Sequence, residues 1–256
     1  MTFLELIAQL KTCFAPLDLE AFEGEFGYTA NSRAAVQRIG CATNLSPSIA
    51  ARAIEEGLDT LITHHDAWDF LYESRDEVYE TLKAHEISHC YIHAPLDAAD
   101  FGTTVSLAEL LLLQVKDGFA EYEGLPCGRT CVPSAPVSFD ELAARLLSAT
   151  GAGIRVWRNH SLPIQSVGVT TGGGSLTSIV REAAALGCDT YITGETNLYV
   201  AQYAKDRGIN LMIGTHTHTE FPGIERLCRR LQTLAKATLI PLREDDIETG
   251  TLIQEG

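Results

Sequence analysis

The stretch GLDTLITHH, Gly57 to His65, returns as GCDTYITGE, Gly187 to Glu195, with five identities in nine positions. A glycine followed by a Thr-led apolar run is how a helix stops and passes directly into a buried strand. Each copy has a related apolar run upstream, VQRIGCAT (Val36 to Thr43) for the first and IQSVGVTT (Ile164 to Thr171) for the second. Between the runs lie segments of helical period, Ser46 to Gly57 and Ser175 to Gly187, each opened by a capping Ser and closed by Gly. Ile49, Ala53 and Ile54 in the first, and Ile179, Ala183 and Leu186 in the second, fall on one helical face. The chain therefore reads as two βαβ-type units.

A third strand is expected in each unit. Cys90 to Asp97 (CYIHAPLD) follows a helix over Asp76 to Glu86, and Ile209 to His216 (INLMIGTH) follows a helix broken at Gly208. Asp117 to Ser138 is rich in turn residues, and a capped helix from Phe139 to Gly151 and a strand at Ile154 to Trp157 come after it. The expected fold class is α/β, with internally duplicated βαβ-type units forming a two-part layered protein and a metal cleft between the halves. The halves are residues 1–125 and 160–256, and 126–159 is a connecting segment with a helix.

Composition narrows the function. Nineteen Lys and Arg against 34 Asp and Glu give a net charge of −15, which disfavours nucleic-acid backbones and anionic membranes as partners. No run of 18 apolar residues suggests a membrane span. The opening MTFLELIAQLKTCF reads as the first helix of a cytoplasmic protein and not as a signal peptide. Seven cysteines, an odd count placed in apolar segments, fit a reducing compartment better than a disulfide framework.

The groups able to do chemistry gather at the ends of the apolar runs. His64 and His65 close one, and the carboxyl ends of strands are where α/β sheets bind ligands. Within a strand the two rings would point to opposite faces; just beyond its end both can turn to one side. Asp97 lies two residues past Pro95, while His216 and Glu220 are spaced to share one face of a helix or tight turn. Imidazoles and carboxylates in this number can hold two metals if one carboxylate bridges. The competing readings are a turn Asp, a helix cap and hydrogen-bonded core histidines.

His93 precedes Asp97 on the expected strand and is a candidate proton donor or substrate contact. Glu195 stands where the first copy has His65 and is a candidate base behind the ligands. His85 and His89 read as a surface helix end, and His160 as structural or at a pocket rim. Gly172-Gly173-Gly174-Ser175 leads into a helix and could cradle an anion, although it matches neither a P-loop nor a dinucleotide fingerprint.

In this order, ITHHDAW, IHAPLDAA, TTGGGS, ITGE and IGTHTHTEFPGI resemble the motifs of the GTP cyclohydrolase 1 type 2 homologues, the Nif3-like dinuclear metal-binding proteins. The resemblance covers nearly the whole chain. It implies two divalent ions (zinc, iron or manganese) on His64, His65, Asp97, His216 and Glu220, and assembly as a homohexamer. It also implies a metal-dependent hydrolase acting on a nucleotide or other heterocyclic substrate; the alternative is a non-catalytic metal-binding oligomeric scaffold or regulatory protein. The chain departs from the family at Gly102-Thr103-Thr104, around Glu23-Gly24-Glu25-Phe26-Gly27, and at His218, an additional histidine expected to face the cleft.

Overall fold

The structure, a computed structural model, describes residues 1–31, 35–68, 71 and 73–250. The chain forms two compact units, Met1–Gly102 with Phe221–Glu244, and Thr103–Glu220 with the segment from Asp245.

In the first unit, helix α1 (Phe3–Cys13) precedes β1 (Phe26–Thr29), β2 (Arg38–Ala42), α2 (Pro47–Glu55), β3 (Thr60–Thr63), α3 (Ser74–Ala84), β4 (Ser88–Ile92) and the short α4 (Ala94–Ala98). In the second are α5 (Thr103–Leu110), β5 (Leu113–Tyr122), β6 (Leu125–Pro133), α6 (Phe139–Thr150), β7 (Arg155–Trp157), β8 (Val167–Thr170), α7 (Thr177–Ala185), β9 (Thr190–Thr193), α8 (Leu198–Arg207) and β10 (Asn210–Ile213). Helix α9 (His216–Ala235) belongs to the first unit from Phe221 onward, and β11 (Thr238–Pro241) follows it. The sheets run β1-β4-β3-β2-β11 and β5-β6-β8-β9-β10-β7.

The duplication is visible in the register. Strands β2, β3 and β4 are parallel, with Ala42 beside Thr63 and Thr63 beside Tyr91. Strands β8, β9 and β10 repeat this with Thr170, Thr193 and Ile213, so Thr63 and Thr193 are equivalent. An antiparallel edge strand flanks each trio, β1 against β4 and β7 against β10.

The shared Asp-Thr pair makes the same bonds in both copies. Asp59 Oδ2 accepts from Gln37 N and Arg38 N, both at 2.8 Å, and Asp189 Oδ2 accepts from Gln165 N at 2.7 Å and Ser166 N at 3.1 Å. The neighbouring hydroxyls of Thr60 and Thr190 each donate to Oδ1 at 2.8 Å. Gly57 and Gly187 sit at φ +60° and +85°, as a helix-ending glycine should.

Apolar layers cover both faces of each sheet, as parallel strands require. Ile39, Cys41, Ile62, Cys90 and Ile92 pack with residues of α1 and α9, whereas Ala42 and Leu61 pack with those of α2 and α3. In the second unit Val167, Val169, Ile192 and Met212 pack with residues of α5 and α6, and Tyr191, Leu211 and Ile213 with those of α7 and α8.

Four local expectations are corrected. The strand expected over Cys90 to Asp97 ends at Ile92, because His93 already flanks α4, so Asp97 lies on a helix. Ser175 does not cap α7; Leu176 precedes that helix and its side chain makes no cap bond. The turn-rich stretch Asp117 to Ser138 contains most of a two-stranded hairpin, closed at Glu123 (φ +50°) and Gly124 (φ +74°), the positive-φ turn that matches strand twist. His89 is in β4 and buried, not on a helix surface, while His85 is exposed at the end of α3. Among the described residues no helix is long and apolar enough to cross a membrane.

Because each Asp carboxylate anchors two backbone N–H groups, Asp59→Ala and Asp189→Ala should each cost about 1–3 kcal/mol. As the residues lie in separate units, their effects should add in the double variant. Urea unfolding measures both, and a cost confined to one site would contradict the functional equivalence of the repeats.

Candidate metal centre

In the first unit the donors gather where the parallel strands end. Past β3 the backbone turns, with His65 N donating to Thr43 O at 2.8 Å. This frees both side chains from strand alternation, and the His64 and His65 ring centroids lie 4.6 Å apart. One turn of α4 brings Asp97 Oδ1 to 3.3 Å from His64 Nε2. A ring nitrogen from each of His64, His65 and His93 lies within 4.8 Å of the other two.

Each ring is held through Nδ1. His64 Nδ1 donates to Ile92 O at 2.8 Å, His65 Nδ1 to Asn44 Oδ1 at 2.8 Å, and His93 Nδ1 to the Glu25 carboxylate at 2.6 Å. An imidazole that donates from Nδ1 keeps its lone pair on Nε2, the state a metal ligand requires. Asn44 is held in turn, its side-chain amide donating to Glu244 at 3.1 Å and its backbone N–H at 2.7 Å.

The second unit builds its donors at the start of α9. His216 Nδ1 donates to Glu195 Oε1 at 2.6 Å, and its Nε2 lies 3.2 Å from Glu220 Oε1 one helical turn on. Glu220 is buried, with 3 % of its side chain exposed. Burial favours the neutral His216 ring, but the charges and hydrogen bonds of Glu220 and Glu195 outweigh it and push its pKa up to about 11. The bond from His216 in turn holds Glu195 below the ordinary carboxylate range, against burial. A metal held by His216 Nε2 would have to displace this proton, so its affinity would rise with pH.

The triple glycine serves this pair. A Cβ on Gly172 would come within 1.9 Å of Glu220 Oε1 and 2.9 Å of His216 Nε2, at a φ of +61°. Gly172 thus makes room for two donors.

His64, His65, His93 and Asp97 thus come together in one unit, and Glu195, His216 and Glu220 in the other. His218 is buried and hydrogen-bonded to the Thr215 hydroxyl through Nδ1 at 2.7 Å. His160 is structural, its Nε2 lying 3.1 Å from Asp189 O and 2.9 Å from Asn210 Nδ2. The sequence reading missed Asn44, Glu25 and Gly172 as supports of the histidines and Glu220; only the glycine run carried a signal. It also missed Glu248, which accepts from His216 N at 2.6 Å and Thr217 N at 3.0 Å at the start of α9.

Residues 1–245 match the family described as Duf34/NIF3 (NGG1p interacting factor 3). A GTP cyclohydrolase 1 type 2 homolog from Escherichia coli K12 is 29% identical over 213 residues, 78% of this chain and 81% of the relative. One from Deinococcus radiodurans is 28% identical over 202 residues, 77% of this chain and 76% of the relative. Among solved structures, ybgI, a structural-genomics protein of unknown function, superposes with a TM-score of 0.83 at 25% identity, covering 96% of this chain and 99% of that one. A Thermus thermophilus protein gives 0.80 at 23% identity over 96% and 100% of the two chains, a likeness of fold.

The half-buried His216 and the buried His89 should give the metal-free protein opposite pH slopes. The folded pKa of His216, about 11, lies above the unfolded value of about 6.5. Its stabilisation is therefore complete below about pH 6.5 and lost as pH climbs toward 11. Burial pushes His89 down to about 3, so its contribution is present above about pH 6.5 and lost as pH falls toward 3. Urea midpoints across pH should show a flatter alkaline limb in His216→Gln and a flatter acid limb in His89→Gln; unchanged limbs would show that neither ring titrates as described.

Proposed function

The chain belongs to the Duf34/NIF3 family, and from that premise we propose that it is a metal-dependent hydrolase using two divalent ions. Their ligands are His64, His65, Asp97, His216 and Glu220. The observation that carries this reading is the common anchoring of the three rings: each is bonded through Nδ1, which leaves Nε2 as the atom that would hold a metal. The donor set, imidazole with carboxylate, suits zinc, iron or manganese.

Ions so held would acidify water and polarise the bond to be cut. The protein's own groups supply the rest. His93 is partly exposed, with 24% of its side chain accessible, and its Nε2 is the group to accept or return a proton during hydrolysis. Glu195 keeps the His216 ring in place, so that its Nε2 would be the atom to hold a metal. The name of the relatives directs the substrate toward a guanine nucleotide, whose imidazole ring would be opened by water, or toward another heterocycle. Assembly as a homohexamer belongs to the same reading, and light scattering should find six chains.

Metal analysis after reconstitution should find up to two ions per chain. A nucleotide panel assayed with and without chelator should reveal turnover that chelation abolishes; metal retained without turnover favours the scaffold. Glu220→Gln keeps size but removes a negative charge, so it should lower metal content or abolish hydrolysis, while His85→Ala, on an exposed helix end, should change neither. His93→Ala should keep the metal and slow turnover by about 10²- to 10⁴-fold. An unchanged rate would reduce His93 to packing.

A further inference from the structure

The segment around Glu25, one of the places where the chain departs from the family motifs, meets His93 in the fold. Strands β1 and β4 pair antiparallel with Phe26 opposite Ile92. One residue further out, His93 N donates to Glu25 O at 2.8 Å, so the ladder sets Glu25 opposite His93. Glu25 turns its side chain inward, with 10% of it exposed. Its Oε2 accepts from His93 Nδ1 at 2.6 Å and from Ala94 N at 3.1 Å. His93 stands edge-on to the His64 and His65 rings, with centroids 5.0 and 5.1 Å away, and to Trp68 at 6.3 Å.

A buried carboxylate is costly unless it is hydrogen-bonded, and here it is placed on a histidine outside the ligand set. The backbone bond, the ring bond and the Ala94 bond leave the imidazole one orientation and one tautomer. Packing alone would be served by a neutral acceptor such as the Ile92 carbonyl, which His64 uses. We infer that Glu25 is a positioning residue for proton transfer: its carboxylate holds His93 as the Nδ1–H tautomer and makes Nε2 the proton-accepting atom. The inference rests on the hydrolase reading for the use of that atom, but the dyad itself is testable without turnover.

The experiment uses the full chain, metal-free, at a pH where His93 is neutral. Long-range ¹H–¹⁵N correlation spectra, with His93→Gln to assign the signals, report which nitrogen carries the proton. Wild type should show a protonated Nδ1 and a bare Nε2. In Glu25→Gln the amide can offer either an oxygen or an NH₂ group, and in Glu25→Leu neither, so both should populate the Nε2–H tautomer. In parallel, acylation of His93 by diethyl pyrocarbonate, read by peptide mass spectrometry, should slow by at least about tenfold in Glu25→Leu as the nucleophilic nitrogen is lost. Acylation of exposed His85 should not change, and circular dichroism checks that the variants fold. If either folded variant keeps the wild-type tautomer and reactivity, the positioning role is overturned. Metal content is measured on the same proteins. Wild type that takes up metal while the tautomer ignores Glu25 refutes this inference alone; wild type that takes up none refutes the metal reading and leaves the dyad result standing.

Discussion

One carboxylate in each repeat fixes where the chemistry can be. Asp59 and Asp189 each gather two N–H groups at the entry to the preceding strand while sitting at the head of their own, which pins β2 to β3 and β8 to β9 in the same register. A strand rises about 3.3 Å per residue and its side chains alternate. A slip of one residue would carry His64 or Glu195 that far and turn it to the other face. Metal bonds tolerate about 0.2 Å. The strand-head bonds therefore set, from the opposite end of the sheet, a placement far tighter than the donors could impose on flexible loops.

Register delivers the rings to the site; a second layer of bonds decides which atom they offer. His64 leans on a backbone carbonyl and His65 on an amide oxygen, both neutral acceptors, whereas His93 and His216 lean on carboxylates. The difference has consequences. A neutral acceptor orients a ring without much stabilising its charged form, while the two carboxylates beside His216 favour its proton as well as its orientation. His216, with carboxylates on both sides, is accordingly the ring that resists giving up its proton, and the affinity of any metal it held would depend on pH.

Much of this was legible because it is written locally. Repeat, helix period, Gly stops and the strand ends that carry His64, His65 and Glu195 all follow from neighbours in sequence. The residues that hold those groups were not. Asn44 reaches His65 across 21 positions, and Glu25 reaches His93 across 68; neither has a local pattern that announces it. His89 misled because its immediate neighbourhood resembles a fraying helix end, yet the ladder to β3 buries it against the Thr63 hydroxyl at 2.8 Å. Turn residues in the hairpin misled in the opposite sense, since Gly and Pro were read as loop where long-range pairing makes them strand.

The same scaffold carries different groups in its two copies for a steric reason. At the position of His64 the second repeat has Gly194, and a Cβ there would lie 2.7 Å from both Gly172 O and His216 Cα. The start of α9 packs so closely on β9 that no side chain fits, so the second strand end cannot offer a ring where the first does. It offers Glu195 at the next position instead, bonded to a histidine that α9 supplies. In the first repeat the strand end itself brings the imidazoles, and in the second it steadies one brought by a helix. Duplication thus fixed the frame and close packing forced the division of labour: one glycine, required by contact rather than by turn geometry, converts a strand end that brings imidazoles into one that supports an imidazole brought by a helix.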